Sequence, residues 1–335
     1  MLDANFDQII DMIERRKTNA YRKVNEEMIL LYLEVGKFLY ELIENGSYGD
    51  KITTKAADFM KINYPEVKGF TKRNIERMVQ FYRTYKDDEI ATPLVTQLSW
   101  TNNLLILSGS KSIEERHFYL RLSIKENYSK RELDRQITSA YYERYLLSEG
   151  NALPTTNKTI DEDDYPNTRI LDLYSLEFLD LPNEYSEHDL KNAIVKNLKE
   201  FILEVGKDFT FIGDEYRVQV GNHDLFIDLL FFNRELSCLV AFELKLGEFK
   251  AEYLGKMNLY LEALDRDVKK KNENPSVGVI LCSSKDKNVV EYSLSKNMSQ
   301  TLISEYKLKL IDKKLLENKL TEVKKILENS NDSIE

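Results

Sequence analysis

Two cysteines, three histidines and one tryptophan occur in 335 residues, and no apolar run approaches the roughly 20 residues needed to cross a bilayer. The histidines, His117, His188 and His223, are scattered and no cysteine pair flanks them, which argues against a zinc site. Cys238 and Cys282 fall in predicted buried strands and read as small core residues in a reducing cytosol. The first residues, MLDANFDQIIDMIERR, are acidic and helical in pattern, without the basic start or apolar core of a secretory signal. A cytoplasmic protein with no membrane partner is expected. No GxGxxG, HExxH or GxSxG occurs. Gly255-Lys256-Met257 is not a phosphate-binding loop, because Lys250 stands at the first glycine position and Met257 replaces Ser or Thr. The net charge of −9 excludes a uniformly basic coat. Residues 1–150 balance 23 basic against 23 acidic side chains, so the acidic excess lies beyond them and a local basic groove is still open.

The length favours two domains, and 42% apolar with 31% charged residues is globular composition. The spacing predicts an all-helical domain over 1–147. Apolar positions at threes and fours, from Phe6 to Leu42, predict one or two long helices over 5–44, with Asn45-Gly46 as the stop. A helix is expected over Asp50–Asn63. Thr71 would cap another over Lys72–Tyr85, whose basic residues Lys72, Arg73 and Arg77 lie largely off its apolar face and are candidates for nucleic-acid contact. Leu98–Leu107 reads as core. Helices are expected at Ile113–Ile124 and Arg131–Tyr145, the second opened by a Ser129…Glu132 capping box. Over residues 148–167, SEGNALPTTNKTIDEDDYPN, the pattern dissolves into a polar, acidic linker; Asp161–Asp164 lack calcium-loop spacing, since Pro166 stands where the glycine belongs.

A second domain over 168–328 is expected, ending in a disordered tail at 329–335. It reads as a helix at Glu187–Gly206 capped by Ser186, then strands at Phe209–Ile212, Tyr216–Val220, Leu225–Phe232 and Cys238–Lys245. A helix at Lys250–Asp265, a strand at Val277–Cys282, a short helix near Lys287–Leu294, a strand at Leu302–Leu310 and a charged helix complete it. The fold class is α/β (α+β), a mixed sheet flanked by helices. Its organising stretch is Asp224–Lys245, DLFIDLLFFNRELSCLVAFELK. Asp228 interrupts one apolar strand and Glu243-Leu244-Lys245 ends the next. Glu243 and Lys245, two residues apart, share a face. A carboxylate in an apolar strand costs several kcal/mol unless paired, hydrogen-bonded or bound to a metal. Asp228 and Glu243 can meet across the hairpin and share a divalent cation, with the Leu244 carbonyl as third ligand and Lys245 beside them. Lys245 would hold or deprotonate the attacking water, or offset phosphate charge.

The stretch YRVxVGxxDLFIDLLFFNRxLxCLVAFELKLGEFKAEYLGKMNLYLEALD, with VGVILCSSKD downstream, resembles the nuclease core of the YhcG-like family within the PD-(D/E)XK superfamily. KGFTKRNIERMVQFYRTY, QLSWTNNLLIL and RHFYLRLSIKENYSKRELDRQI are similar to the same family's N-terminal domain. The resemblance implies a restriction-endonuclease-like fold and a Mg²⁺-dependent nuclease, Mn²⁺ substituting, that hydrolyses phosphodiester bonds, most readily of DNA, with metal-activated water and leaves a 5′-phosphate. It implies Asp228, Glu243 and Lys245 as the motif residues and Glu204 as the first core helix's acid, with Glu200 as the alternative. Lys256, Tyr260 and Asn258 are the candidates on the helix after the lysine. Ile227 replaces the proline of the superfamily's name. The alternative is a catalytically silent nucleic-acid-binding or assembly module on the same fold, against which the complete Asp228, Glu243 and Lys245 set argues. A homodimer through the N-terminal helices is a further expectation.

Overall fold

A computed structural model describes residues 7–46, 51–148, 170–295 and 300–331. The linker expected at 148–167 lies, except for Ser148, outside the described residues, as do tail residues 332–335; residues 329–331 continue the last helix. The chain divides into two compact units, Met1–Ile137 and Thr138–Glu335.

The first unit is helical: α1 Asp7–Glu44, α2 Ile52–Asn63, α3 Lys72–Tyr85, α4 Ala91–Val95, α5 Trp100–Gly109, α6 Ile113–Lys125 and α7 Lys130–Thr138. Thr71 caps α3 as its sequence suggests, its side chain accepting from the Asn74 N–H. Gly36 lets α1 approach α3 closely, since a Cβ there would strike the Met78 carbonyl. Ile75, Met78 and Phe81 of α3 are buried, and Trp100 meets Tyr32 and Phe81 at ring separations of 4.7 and 5.1 Å.

The second unit begins with α8, Tyr141–Leu147. The sequence predicts a single helix over Arg131–Tyr145. It is broken because Ala140 adopts a left-handed backbone, φ 54°, and the unit boundary falls beside that break. Arg144 of α8 is wholly buried. Its guanidinium gives hydrogen bonds to the Ser139 carbonyl at 3.0 Å, the Ser139 hydroxyl at 2.9 Å and the Leu173 carbonyl at 3.1 Å, and pairs with Glu204. Compactness therefore starts ahead of residue 148, where the linker was expected to end the helical half.

The sheet has six strands: β1 Leu173–Ser175, β2 Phe209–Val220, β3 His223–Asn233, β4 Cys238–Glu248, β5 Val277–Ser284 and β6 Thr301–Lys307, in the order β1-β6-β5-β4-β3-β2. The β2–β3 and β3–β4 pairs are antiparallel hairpins and the other three pairs are parallel. Crossovers through α11, Glu252–Ala263, and α12, Lys287–Leu294, supply the parallel strands. This is the mixed sheet flanked by helices that the sequence predicts. Three differences are local. β1 is a strand of three residues, too short to announce itself. β2 is continuous across the expected gap at 213–215 because a bulge between Phe211 and Gly213, followed by Glu215 at φ 46°, absorbs the polar residues. The helix expected at Glu187–Gly206 is broken at Asn197 into α9 Glu187–Lys196 and α10 Leu198–Val205. The closing helix α13 spans Lys313–Asn331.

Each face of the sheet has its own cover. On one, Phe201 of α10 meets Phe231 and Phe242 at 5.9 and 5.8 Å. On the other, Leu254, Met257 and Leu261 of α11 pack in one cluster with Leu230, Leu239, Ala241 and Ile280. Gly278 of β5 makes that approach possible, since a Cβ there would stand 2.5 Å from Met257 Sδ. Cys238 and Cys282 are free and buried, as expected, and burial pushes each thiol up to about 11.

Glu204→Ala leaves the Arg144 guanidinium buried without its counter-charge, and should cost the second unit about 3–5 kcal/mol. Hydrogen exchange of the β4 amides against urea measures this, because the single tryptophan reports the first unit. A loss below about 1 kcal/mol would contradict the pairing's role.

Candidate active site

The site forms where the central hairpin opens. Residues of β3 and β4 pair from Asn233↔Cys238 to Leu229↔Phe242, and the ladder stops one step before Asp228 would face Glu243. At that step the Asp228 side chain takes over from the ladder: its Oδ2 accepts the Leu244 N–H at 2.8 Å. Continuing alternation sends Phe242 to the α10 face and Glu243 to the α11 face. Glu243 is 1% exposed. Its Oε1 receives Lys256 Nζ at 2.6 Å and Lys245 Nζ at 3.0 Å. Its Oε2, also buried, has no hydrogen-bond partner. The Tyr260 hydroxyl donates to the Phe226 carbonyl.

Electrostatics follow from this crowding. Burial, with the Glu243 charge second, pushes the Asp228 carboxyl up to about 6, against the opposing pull of the Leu244 N–H and the two lysines. Burial alone would lower Lys245. The hydrogen bond to Glu187 and the attraction of Glu243 outweigh it and hold the ammonium above its ordinary range. The Lys245 ammonium is held between the Glu187 and Glu243 carboxylates. The Tyr260 hydroxyl is raised, first by burial and then by the Glu243 and Asp228 charges, so it stays a neutral donor.

The structure brings Asp228, Glu243, Lys245, Lys256 and Tyr260 together, with Leu244 between the motif residues. Lys256 and Tyr260 lie one turn apart on α11, and the Lys256 ammonium stands 5.2 Å from the Tyr260 ring centre. Asn258 is not brought in. Two residues along the helix is about 200° of rotation, and it is exposed on the far side. Glu204 is also elsewhere. It lies on α10 behind the opposite face, fully buried, its Oε1 taken by Arg144 and by the Ser175 N–H at 2.7 Å. Glu200, the alternative, sits half-buried on the same helix with no bond to the cluster. The acid that does reach the site is Glu187, in the first turn of α9. Its Oε2 accepts from Lys245 Nζ at 2.9 Å and its Oε1 from the Leu246 N–H at 3.3 Å. The signal for it was the Ser186…Asp189 capping box, which sets the first turn of a core helix and so the place of its first acid. Lys72, Arg73 and Arg77 belong to α3 of the first unit.

Among the described residues, no three His, Cys, Asp or Glu side chains gather into a metal-binding group. The donors suited to a divalent cation are the two carboxylates and main-chain oxygen, the hard ligands that Mg²⁺ and Mn²⁺ accept. The unpartnered Glu243 Oε2 and the mutual repulsion of Asp228 and Glu243 fit such an ion. Among the described residues no helix is long and apolar enough to cross a membrane.

A mixed sheet whose central hairpin presents an aspartate, then glutamate and lysine two residues apart, defines the PD-(D/E)XK nuclease class, whose members generally use divalent metal ions. Residues 167–321 match the model of the YhcG PDDEXK nuclease domain, and residues 8–144 that of the DUF1016 N-terminal domain. The YhcG protein of Escherichia coli (strain K12) is 30% identical over 96% of this chain and 94% of its own length. The chain belongs to the YhcG family. Two solved structures show a slight likeness: a repair endonuclease from Pyrococcus abyssi, at 17% identity and TM-score 0.26 over 39% of this chain and 50% of that one, and an EndoMS–dsDNA complex, at 16% identity and TM-score 0.27 over 37% and 48%.

Because the fold keeps Asp228 protonated to higher pH than the unfolded chain does, its contribution is favourable at acid pH and is lost as pH rises from about 4 through about 6. Asp228→Asn keeps an acceptor for the Leu244 N–H and removes the charge. In EDTA at pH 7 it should be more stable than the parent by on the order of 2 kcal/mol, with the difference gone below about pH 4. Thermal unfolding across that range checks it, and equal stability at pH 7 would refute the cost of burying the Asp228 charge beside Glu243.

Proposed function

We propose that this YhcG-family nuclease hydrolyses phosphodiester bonds in DNA with Mg²⁺, or Mn²⁺ in its place, held by Asp228, Glu243 and the Leu244 carbonyl. The observation that carries the reading is the buried, unpartnered Glu243 oxygen beside a second carboxylate with a raised pKa. Hydrolysis of a phosphodiester requires an acidified water and neutralisation of charge at phosphorus, both of which a divalent cation bound there supplies. Lys245, clamped between Glu243 and Glu187, presents a permanent positive charge to the scissile phosphate and orients the attacking water. Lys256 adds a second cation from α11, and Tyr260, through Phe226, fixes the edge of β3 against that helix. Glu187 positions Lys245 and is assigned here the role expected of Glu204.

The cytoplasm is the proposed setting and DNA the proposed partner. A homodimer through the first unit is proposed from the exposed Ile9, Ile10 and Ile13 of α1; a monomer mass in sedimentation at micromolar concentration removes that part.

Supercoiled plasmid and linear duplex, incubated with Mg²⁺, Mn²⁺ or EDTA, test the activity. The parent should cleave only with metal, and Glu243→Gln and Lys245→Ala should each lose about 10²-fold or more. Cleavage in EDTA, or full activity in both variants, would overturn the reading.

A further inference from the structure

Of the three basic candidates on α3, Lys72 stands 3.8 Å from Glu76. Arg73 and Arg77 make no ion pair or hydrogen bond among the described residues, although Arg77 is half-buried. Together with Gly69, Thr71 and Asn74 they line an open hollow of about 400 Å³.

Each acceptor beside that hollow already receives one hydrogen bond. The Gly69 carbonyl accepts from Asn74 Nδ2 at 2.5 Å, Asn74 Oδ1 accepts from Trp100 Nε1 at 2.8 Å, and the Thr71 carbonyl accepts from the Ile75 N–H at 2.9 Å. Thr71 Oγ1 accepts from the Asn74 N–H at 3.4 Å, which leaves its own proton to give. What remains unpaired is mainly donors: two guanidinium forks and the Thr71 hydroxyl proton. Among the described residues, no carboxylate and no aromatic ring lines the hollow. Two arginines with no partner among the described residues are chemically matched to phosphate oxygens. One helical turn separates the arginines by about 6 Å along the axis, so each can take a different phosphate of one strand.

We infer that Arg73 and Arg77, with the Thr71 hydroxyl, form a phosphodiester-binding site for the backbone of DNA in the helical unit, and that Lys72 is not part of it. The inference rests on the reading of DNA as the substrate. It makes the contact independent of base sequence.

Fluorescence anisotropy of the full chain with a short DNA duplex in EDTA, over a range of salt, tests it without cleavage. Affinity of the parent should fall linearly on logarithmic axes as salt rises. Replacing both arginines by alanine should weaken binding at least about tenfold near 100 mM salt and flatten the slope by about 1.8, while Lys72→Ala moves it by less than about half that. Arg73→Lys with Arg77→Lys should keep the slope, and the exposed Arg73→Ala alone should show about half the change if the double variant unfolds. Equal affinity and slope in the parent and the alanine variant overturn the inference, as does a parent whose binding ignores salt. So would arginine-dependent binding of inorganic phosphate, by calorimetry, with the DNA slope unmoved. An altered slope without any cleavage would fault the catalytic reading alone; cleavage with an unaltered slope would fault this one alone.

Discussion

The burial of Glu243 constrains everything around it. A carboxylate at 1% exposure in the middle of a sheet is tolerable only with compensating charge, and two lysines from different elements supply it at one oxygen. The second oxygen is left without a partner, with another carboxylate nearby. A sequence selected for stability alone would place an apolar residue there. The arrangement holds negative charge ready for a cation, and the surrounding fold serves to keep it in place.

Three features of the fold do so. The β3–β4 ladder ends one pair early, which frees Asp228 to hold the Leu244 amide and keeps the strands from closing over the site. Gly278 lets α11 lie close enough for Lys256 and Tyr260 to reach the strand edge. The start of α9 brings Glu187 to Lys245, so the lysine is fixed from two sides and cannot rotate away from the opening. The buried Arg144–Glu204 pair ties α8, β1 and α10 together behind the sheet, which extends the second unit across a segment that reads as the end of the helical half.

Much of this was legible because the cost of a buried charge is written into the sequence. Asp228 and Glu243 interrupt otherwise apolar strands, and helical spacing puts Lys256 and Tyr260 on one face. The α3 helix was legible from Thr71 and its apolar period. What escaped detection depended on tertiary structure. Glu204 and Glu187 both sit on helices between β1 and β2, and only the break at Asn197 and the face on which α10 packs decide between them. The split of one expected helix at Ala140 comes from a left-handed residue that no propensity marks, and β1 is held by its pairing with β6 instead of by its own composition. Asn258 had the right neighbourhood in sequence and the wrong angle on the helix.

The most direct test of the central claim is calorimetric titration of Mn²⁺ into the full chain near pH 7, beside Glu243→Gln and Asp228→Asn. The account predicts saturable binding by the parent that is lost or weakened at least about tenfold in each variant, since each removes a hard anionic ligand. Equal Mn²⁺ binding in all three proteins would contradict it, because the cation would then be held by something other than the carboxylates of the opened hairpin.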